Sequence, residues 1–180
     1  YDGGRFVTPP IALFGRLHPV ELSLFSKDGQ HLAGLKPTKE MSLHSAFYDT
    51  RAATGAVVHL HSSHSVAYSM LPDIDPDNML PPMTPYSIMK LGKVKLIPYF
   101  IPGDPAIGDA VRGLAGKRCA VMLANHGPVV AAKELEAAVY AIEELEETAK
   151  LALLLRGKNP SMLNHNQIGD IIKTFNVEWD

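Results

Sequence analysis

Hydrophobic and polar positions fall into two periods along this chain. A period of two marks short strands: Arg5-Phe-Val-Thr8, stopped by Pro9-Pro10, and Leu22-Ser-Leu-Phe25, which turns at Lys27-Asp-Gly29 and returns through His31-Leu32 as a hairpin. Continuous apolar runs predict buried strands from Ala56 to His61, Val94 to Ile97 and Cys119 to Ala124, the last ending at a Gly127-Pro128 turn. A period of 3.6 marks helices. The first opens in Lys36-Pro-Thr-Lys-Glu40 and runs to about Ala53, with Thr38 as N-cap and Leu43, Ala46 and Phe47 as its buried stripe. Others are expected after His61 as far as Leu71, from about Pro105 to Leu114, and from Glu134 to Arg156, with a weaker one around Gln167 to Phe175. The long one places Leu135, Val139, Ile142, Leu145, Ala149 and Leu153 on one stripe, leaves Glu143, Glu144, Glu146 and Glu147 as a solvated face, and ends at Gly157. Pro81-Pro-Met-Thr-Pro85 reads as an ordered loop.

The chemistry concentrates where these strands end. In Gly55-Ala-Val-Val-His-Leu-His-Ser62, alternation on a strand turns His59 and His61 to one face and Leu60 to the other. Two imidazoles chelate a first-row divalent ion only if a third ligand joins them, and Leu123-Ala-Asn-His-Gly-Pro128 offers His126. Three imidazoles without a thiolate leave coordination positions open, so such a centre serves chemistry rather than stapling. Solvated histidines are the plainer reading of a lone His-x-His pair, and the third histidine argues against it. Glu40 falls in the first turn of its helix, where the dipole alone would account for a carboxylate, with Lys39 beside it. His44, one turn on, is a candidate supporting residue, and His64 lies near the metal pair without ligand spacing; His18 and His31 read as surface residues. The Asp73-Ile-Asp-Pro-Asp77 run fails as a calcium loop, since Asn78 and Thr84 stand where its glycine and bidentate glutamate belong.

Composition narrows the partners. A chain of 180 residues, 46% hydrophobic with net charge −2, suffices for one substantial core in a single domain and carries no basic footprint for nucleic acid or an anionic membrane surface. Small molecules and other protein chains remain. No apolar stretch is long enough to span a membrane, and the lone Cys119, set in an apolar run, forms no intrachain disulfide, so a cytoplasmic protein is expected.

Taken together, Lys36-Pro-Thr-Lys-Glu40, Val57-Val-His-Leu-His-Ser62, Thr84-Pro-Tyr86, Ile97-Pro-Tyr99 with Pro102-Gly-Asp104, Asn125-His-Gly127 and Glu143-Glu-Leu-Glu-Glu-Thr-Ala-Lys150 resemble the class II aldolase/adducin family. Within it they look most like the branch that decarboxylates 3-oxo-tetronate 4-phosphate. The resemblance implies a three-layer α/β/α sandwich on a largely antiparallel sheet, assembled as a homotetramer with active sites between subunits. It implies that His59, His61 and His126 bind Zn2+, with Mn2+ or Co2+ as other candidates. Glu40 becomes the catalytic acid/base, Tyr99 a proton donor with Tyr86 as its competitor, and Thr38 and Lys39 substrate contacts. The substrate would be a small hydroxy-keto acid or sugar phosphate.

The implied chemistry is carbon–carbon cleavage in which the metal holds the resulting enediolate, releasing CO2 from a β-keto acid or an aldehyde from a fuculose-type substrate. Two departures bear on phosphate binding. The family's upstream Ser/Thr-Gly-Asn loop is absent, so an amino-terminal segment is expected to be missing, and its Thr-Pro-Thr-Gly turn reads Thr8-Pro-Pro-Ile11 here. Proline removes a backbone donor and isoleucine blocks close backbone approach. An aldolase of fuculose 1-phosphate type and an adducin-like scaffold without catalysis are the competing readings.

Overall fold

The computed structural model describes residues 6–8, 18, 22–26 and 28–179. Arg5, the Pro9-Pro10 stop, Ile11 of the altered turn and Lys27 of the hairpin lie outside them. In chain order the elements are β1 (Phe6–Thr8), β2 (Ser23–Phe25), β3 (His31–Ala33), α1 (Met41–Thr50), β4 (Ala56–His59), α2 (Ser63–Ser69) and α3 (Pro85–Leu91). They continue as β5 (Lys95–Ile97), α4 (Ala106–Arg112), β6 (Ala120–Leu123), β7 (Gly127–Ala132), α5 (Leu135–Leu155) and α6 (His165–Phe175).

The first three strands pair antiparallel; the β2–β3 hairpin is the one the alternation and turn residues predict, and β1 adds to the other edge of β2. The larger sheet runs β4-β7-β6-β5, antiparallel at two junctions and parallel only between β5 and β6. Every residue of β6 is buried, because its two faces serve two cores. Ala120 and Met122 pack with Leu91 of α3 and with Ile142 and Leu145 of α5. Val121 and Leu123 pack with Leu43 and Phe47 of α1 and with Ile107 and Val111 of α4. Helices thus cover both faces, the α/β/α layering expected. Each fully buried Leu, Ile or Phe side chain contributes about 1.5–3 kcal/mol of transfer free energy to those layers. No helix among the described residues is long and apolar enough to cross a membrane.

Close approach of α1 and α4 depends on a missing side chain. A Cβ on Gly108 would stand 2.1 Å from Ser42 Oγ and 2.6 Å from its carbonyl oxygen, inside contact distance of backbone. Gly108→Ala is therefore expected to force the helices apart and to lower stability by about 1–3 kcal/mol. Thermal unfolding measures this, and an unchanged midpoint would contradict the tight crossing.

Several local expectations are corrected. Helix α1 begins at Met41, not at Thr38; Glu40 holds the N-cap position, and the Thr38 hydroxyl instead accepts the Glu40 N–H at 3.2 Å in a turn before it. It ends at Thr50 because Arg51 adopts an extended conformation and turns its guanidinium to Gly116 and Glu178. Gly127-Pro128 opens β7 rather than forming the turn, which falls at Asn125, a residue with φ of 59°. On α5 the buried stripe is Ala138, Ala141, Ile142, Leu145, Thr148, Ala149 and Ala152; Leu135 and Val139 are exposed, since small residues allow α5 to lie close on the sheet. Of the supposedly solvated glutamates, Glu144 accepts the Thr84 hydroxyl at 3.3 Å and Glu146 binds the first turn of α2. Helix α3 was hidden behind its proline: Thr84 caps it, accepting the Ser87 N–H, and Pro85 takes the first turn, where no N–H is needed.

Candidate metal centre

Three backbone events bring three imidazoles together. His59 closes β4, and the next residue keeps the ladder going as Leu60 N–H donates to Pro128 O at 3.2 Å, so His61 lies just past the strand rather than within it. His126 sits in the tight β6–β7 turn, its N–H donating to Leu123 O at 3.1 Å. One ligand nitrogen from each of His59, His61 and His126 lies within 4.8 Å of the others. Ring centroids stand 5.1 Å apart for His59 and His61, 5.0 Å for His59 and His126, and 4.9 Å for His61 and His126. Gly127 permits this crowding, for a Cβ there would meet Leu60 O at 2.0 Å and the His59 ring at 3.2 Å.

The tautomer of His59 follows from its neighbour. Its Nδ1 lies 2.9 Å from Pro128 O, and a carbonyl only accepts, so Nδ1 carries the proton and Nε2 keeps a free lone pair. That Nε2 is buried without a hydrogen-bond partner. An orphaned acceptor of this kind costs about 1–3 kcal/mol, unless a cation takes its lone pair. Burial lowers the His59 pKa to about 3, opposed by the Pro128 contact, and burial also lowers that of His126. Neutral imidazoles are the form that binds metal.

Glu40 and His44 stand behind this cluster. Burial raises the Glu40 pKa above the usual carboxylate value, while the Gly103 N–H and His61 pull it partly back. Its Oε2 is buried with no partner. His44 stacks edge-on to His59 at 6.4 Å, and burial lowers its pKa to about 4. Both His44 and His59 are protonated in the unfolded chain below about pH 6.5 and stay neutral in the fold until about 4 and about 3. The unfolded state therefore binds more protons in that window, so stability is full above pH 6.5 and is lost as pH falls, by up to about 1.4 kcal/mol per unit and group. Metal-free protein is expected to show a thermal midpoint that drops steadily from pH 6.5 toward pH 4; a flat profile there would contradict two buried neutral imidazoles.

The family described as Class II Aldolase and Adducin N-terminal domain matches residues 2–153. The chain belongs to this family. It is 42% identical over 170 residues to the 3-oxo-tetronate 4-phosphate decarboxylase of Escherichia coli, a match covering 94% of this chain and 80% of that one. Similarity to the L-fuculose phosphate aldolase of Methanococcus maripaludis is weaker, 29% over 150 residues, with 83% and 78% covered. The fold superimposes on the crystal structure of YgbL from Escherichia coli with a TM-score of 0.89 at 40% identity, covering 93% of this chain and 81% of that one.

In this class II aldolase-like chain the donor set fits a divalent cation: three imidazoles, one with an orphaned nitrogen, and no thiolate. His61, the exposed member, opens with His126 onto a cleft of about 510 Å³ walled by Val66 and Ala67 of α2 and by Met70 just past it. The other candidates are more dispersed. Lys39 is exposed, its Cβ side against Gly103, where φ is 87° and a Cβ would come within 3.1 Å. Tyr99 follows β5 at the sheet end that also carries the His126 turn, and is 60% exposed; Tyr86, in the first turn of α3, is 58% exposed. His64 stands outside the cluster, its Nδ1 2.8 Å from Glu146. Sequence reasoning missed the Pro128 carbonyl and the Gly103 N–H, because backbone groups leave no residue-type signal; the Pro102-Gly-Asp104 turn was the nearest hint.

Proposed function

We propose that this chain is a divalent-metal lyase that decarboxylates 3-oxo-tetronate 4-phosphate to dihydroxyacetone phosphate and CO2. The observation that carries the reading is the buried, unpartnered His59 Nε2 facing two further imidazoles, in a chain 42% identical to enzymes named for that reaction. His59, His61 and His126 would hold zinc, the ion suited to an open three-imidazole site. Bound there, the ion would supply Lewis acidity toward the substrate's carbonyl.

The chain's own residues supply the rest. C1 departs as CO2, its bonding pair passes to C2, and C2 needs one proton. Glu40 is the proposed donor: a carboxyl whose pKa burial raises holds its proton nearer neutrality than an exposed one does. The exposed Lys39 ammonium serves as a point charge for the substrate's carboxylate or phosphate, with Thr38 beside it, and the Tyr99 hydroxyl, just past β5, is the alternative donor of that proton. A cytoplasmic homotetramer with active sites between subunits completes the reading.

Carboxyl-labelled 3-oxo-tetronate 4-phosphate and zinc-loaded protein test this directly. Labelled CO2 and dihydroxyacetone phosphate should form together, well above the spontaneous rate, and stop on chelation. Metal-loaded protein that releases neither, but cleaves fuculose 1-phosphate, would transfer the assignment to aldol cleavage.

A further inference from the structure

Helix α2 runs from just after His61 to the turn that carries His126, and is tied down at both ends by groups that belong to neither the metal cluster nor the apolar core. His61 precedes it by a single residue, Ser62, whose side chain makes no capping bond. The first turn is held instead by Glu146, which lies on α5, 82 residues from His64. The N–H groups of His64 and Ser65 each donate to its carboxylate at 2.9 Å, the Ser65 hydroxyl donates as well, and His64 Nδ1 lies at 2.8 Å. Burial alone would raise the Glu146 pKa, but the Ser65 hydroxyl and these N–H groups hold it below the usual carboxylate value. At the far end Ser69, 6% exposed, accepts the Asn125 N–H at 3.1 Å and donates to Val66 O at 2.7 Å. Asn125 is the left-handed residue immediately before His126.

We propose that α2 is a strut that sets the separation of His61 from His126, with Glu146 and Ser69 as its positioning residues. This rests on the reading of the three imidazoles as a metal centre. Metal–ligand distances tolerate only about 0.2 Å, whereas Tyr68 and Val66 keep α2 packed on the core whether or not Glu146 is present. Loss of either anchor should therefore weaken metal binding before it threatens the fold.

The test is titration of the metal-free full chain with Co2+, followed by visible absorption and by competition with a chelator of known affinity. The parent should take up one Co2+ per chain. Glu146→Ala and Ser69→Ala should each bind about 10–100-fold more weakly, the range for groups that orient metal ligands, with altered ligand-field bands. Glu146→Gln, which keeps one acceptor oxygen, should recover part of the loss. Glu144→Ala is the control: it removes a carboxylate from the same helix that bonds Thr84 and Thr148, away from α2, and should lower the metal-free thermal midpoint while leaving Co2+ affinity unchanged. Parental affinity in either strut variant, or equal weakening in the Glu144→Ala control, overturns the strut. A parent that takes up no Co2+ overturns the metal reading itself, and the strut with it.

Discussion

His59→Ala is expected to lower kcat/KM for decarboxylation by about 10³-fold or more and to abolish stoichiometric metal binding. Lewis-acid stabilisation is worth several kcal/mol, and each 1.36 kcal/mol is tenfold in rate. His59 should matter most of the three because its environment leaves it one role. Nδ1–H is committed to Pro128 O, and Nε2 is buried with no hydrogen-bond partner among the described residues. His61 is exposed, so water can partly replace its ligand nitrogen in a variant, whereas the His59 position is closed to such repair. A second signature comes from mass action: an ion that binds only the folded state raises its stability by about 2.7 kcal/mol at a concentration 100 times Kd. The parent's thermal midpoint should therefore fall on chelation, and that of His59→Ala should not move. A His59→Ala protein that retains metal and most of its activity would sink the three-histidine centre.

Much of this was legible because it rests on periodicity. The apolar runs ending at His59 and His126 located two strands whose ends meet, and the His-x-His spacing survived even though His61 lies two residues beyond β4, since Leu60 still bonds Pro128 O. Period-3.6 patterns placed α1, α4 and α5 to within a few residues. What failed was decided by partners distant in sequence. Pro128 reads as a turn residue until β4 and β6 lie on either side of it, where its carbonyl serves Leu60 and His59. Glu146 reads as solvated until α2 presents unpaired N–H groups to it. Leu135 reads as core until Ala138, Ala141 and Ala152 turn the smaller side of α5 to the sheet. Spacing alone left Glu40 with a dipole role, and only its buried, unpartnered Oε2 distinguishes it from any carboxylate at a helix start.

That distinction makes Glu40→Gln the sharpest test of the chemistry. The amide keeps the size and the polarity of the side chain but cannot deliver a proton, so kcat is expected to fall about 10²–10⁴-fold, the range for a positioned general acid. Metal content should remain at the parental level, because Glu40 is not one of the three clustered donors. The pH dependence carries the sign. Burial raises the Glu40 pKa, so its protonated form persists further toward neutrality than that of an exposed carboxylate, and the rate should fall as pH rises through that pKa. Glu40→Gln should lose this limb entirely. A residue serving only the helix dipole would behave otherwise: the variant would lose at most about 0.3–1 kcal/mol of stability and keep both the parental kcat and its pH profile. Parental kcat in a metal-replete Glu40→Gln protein would remove Glu40 from the reaction and leave the proton to Tyr99.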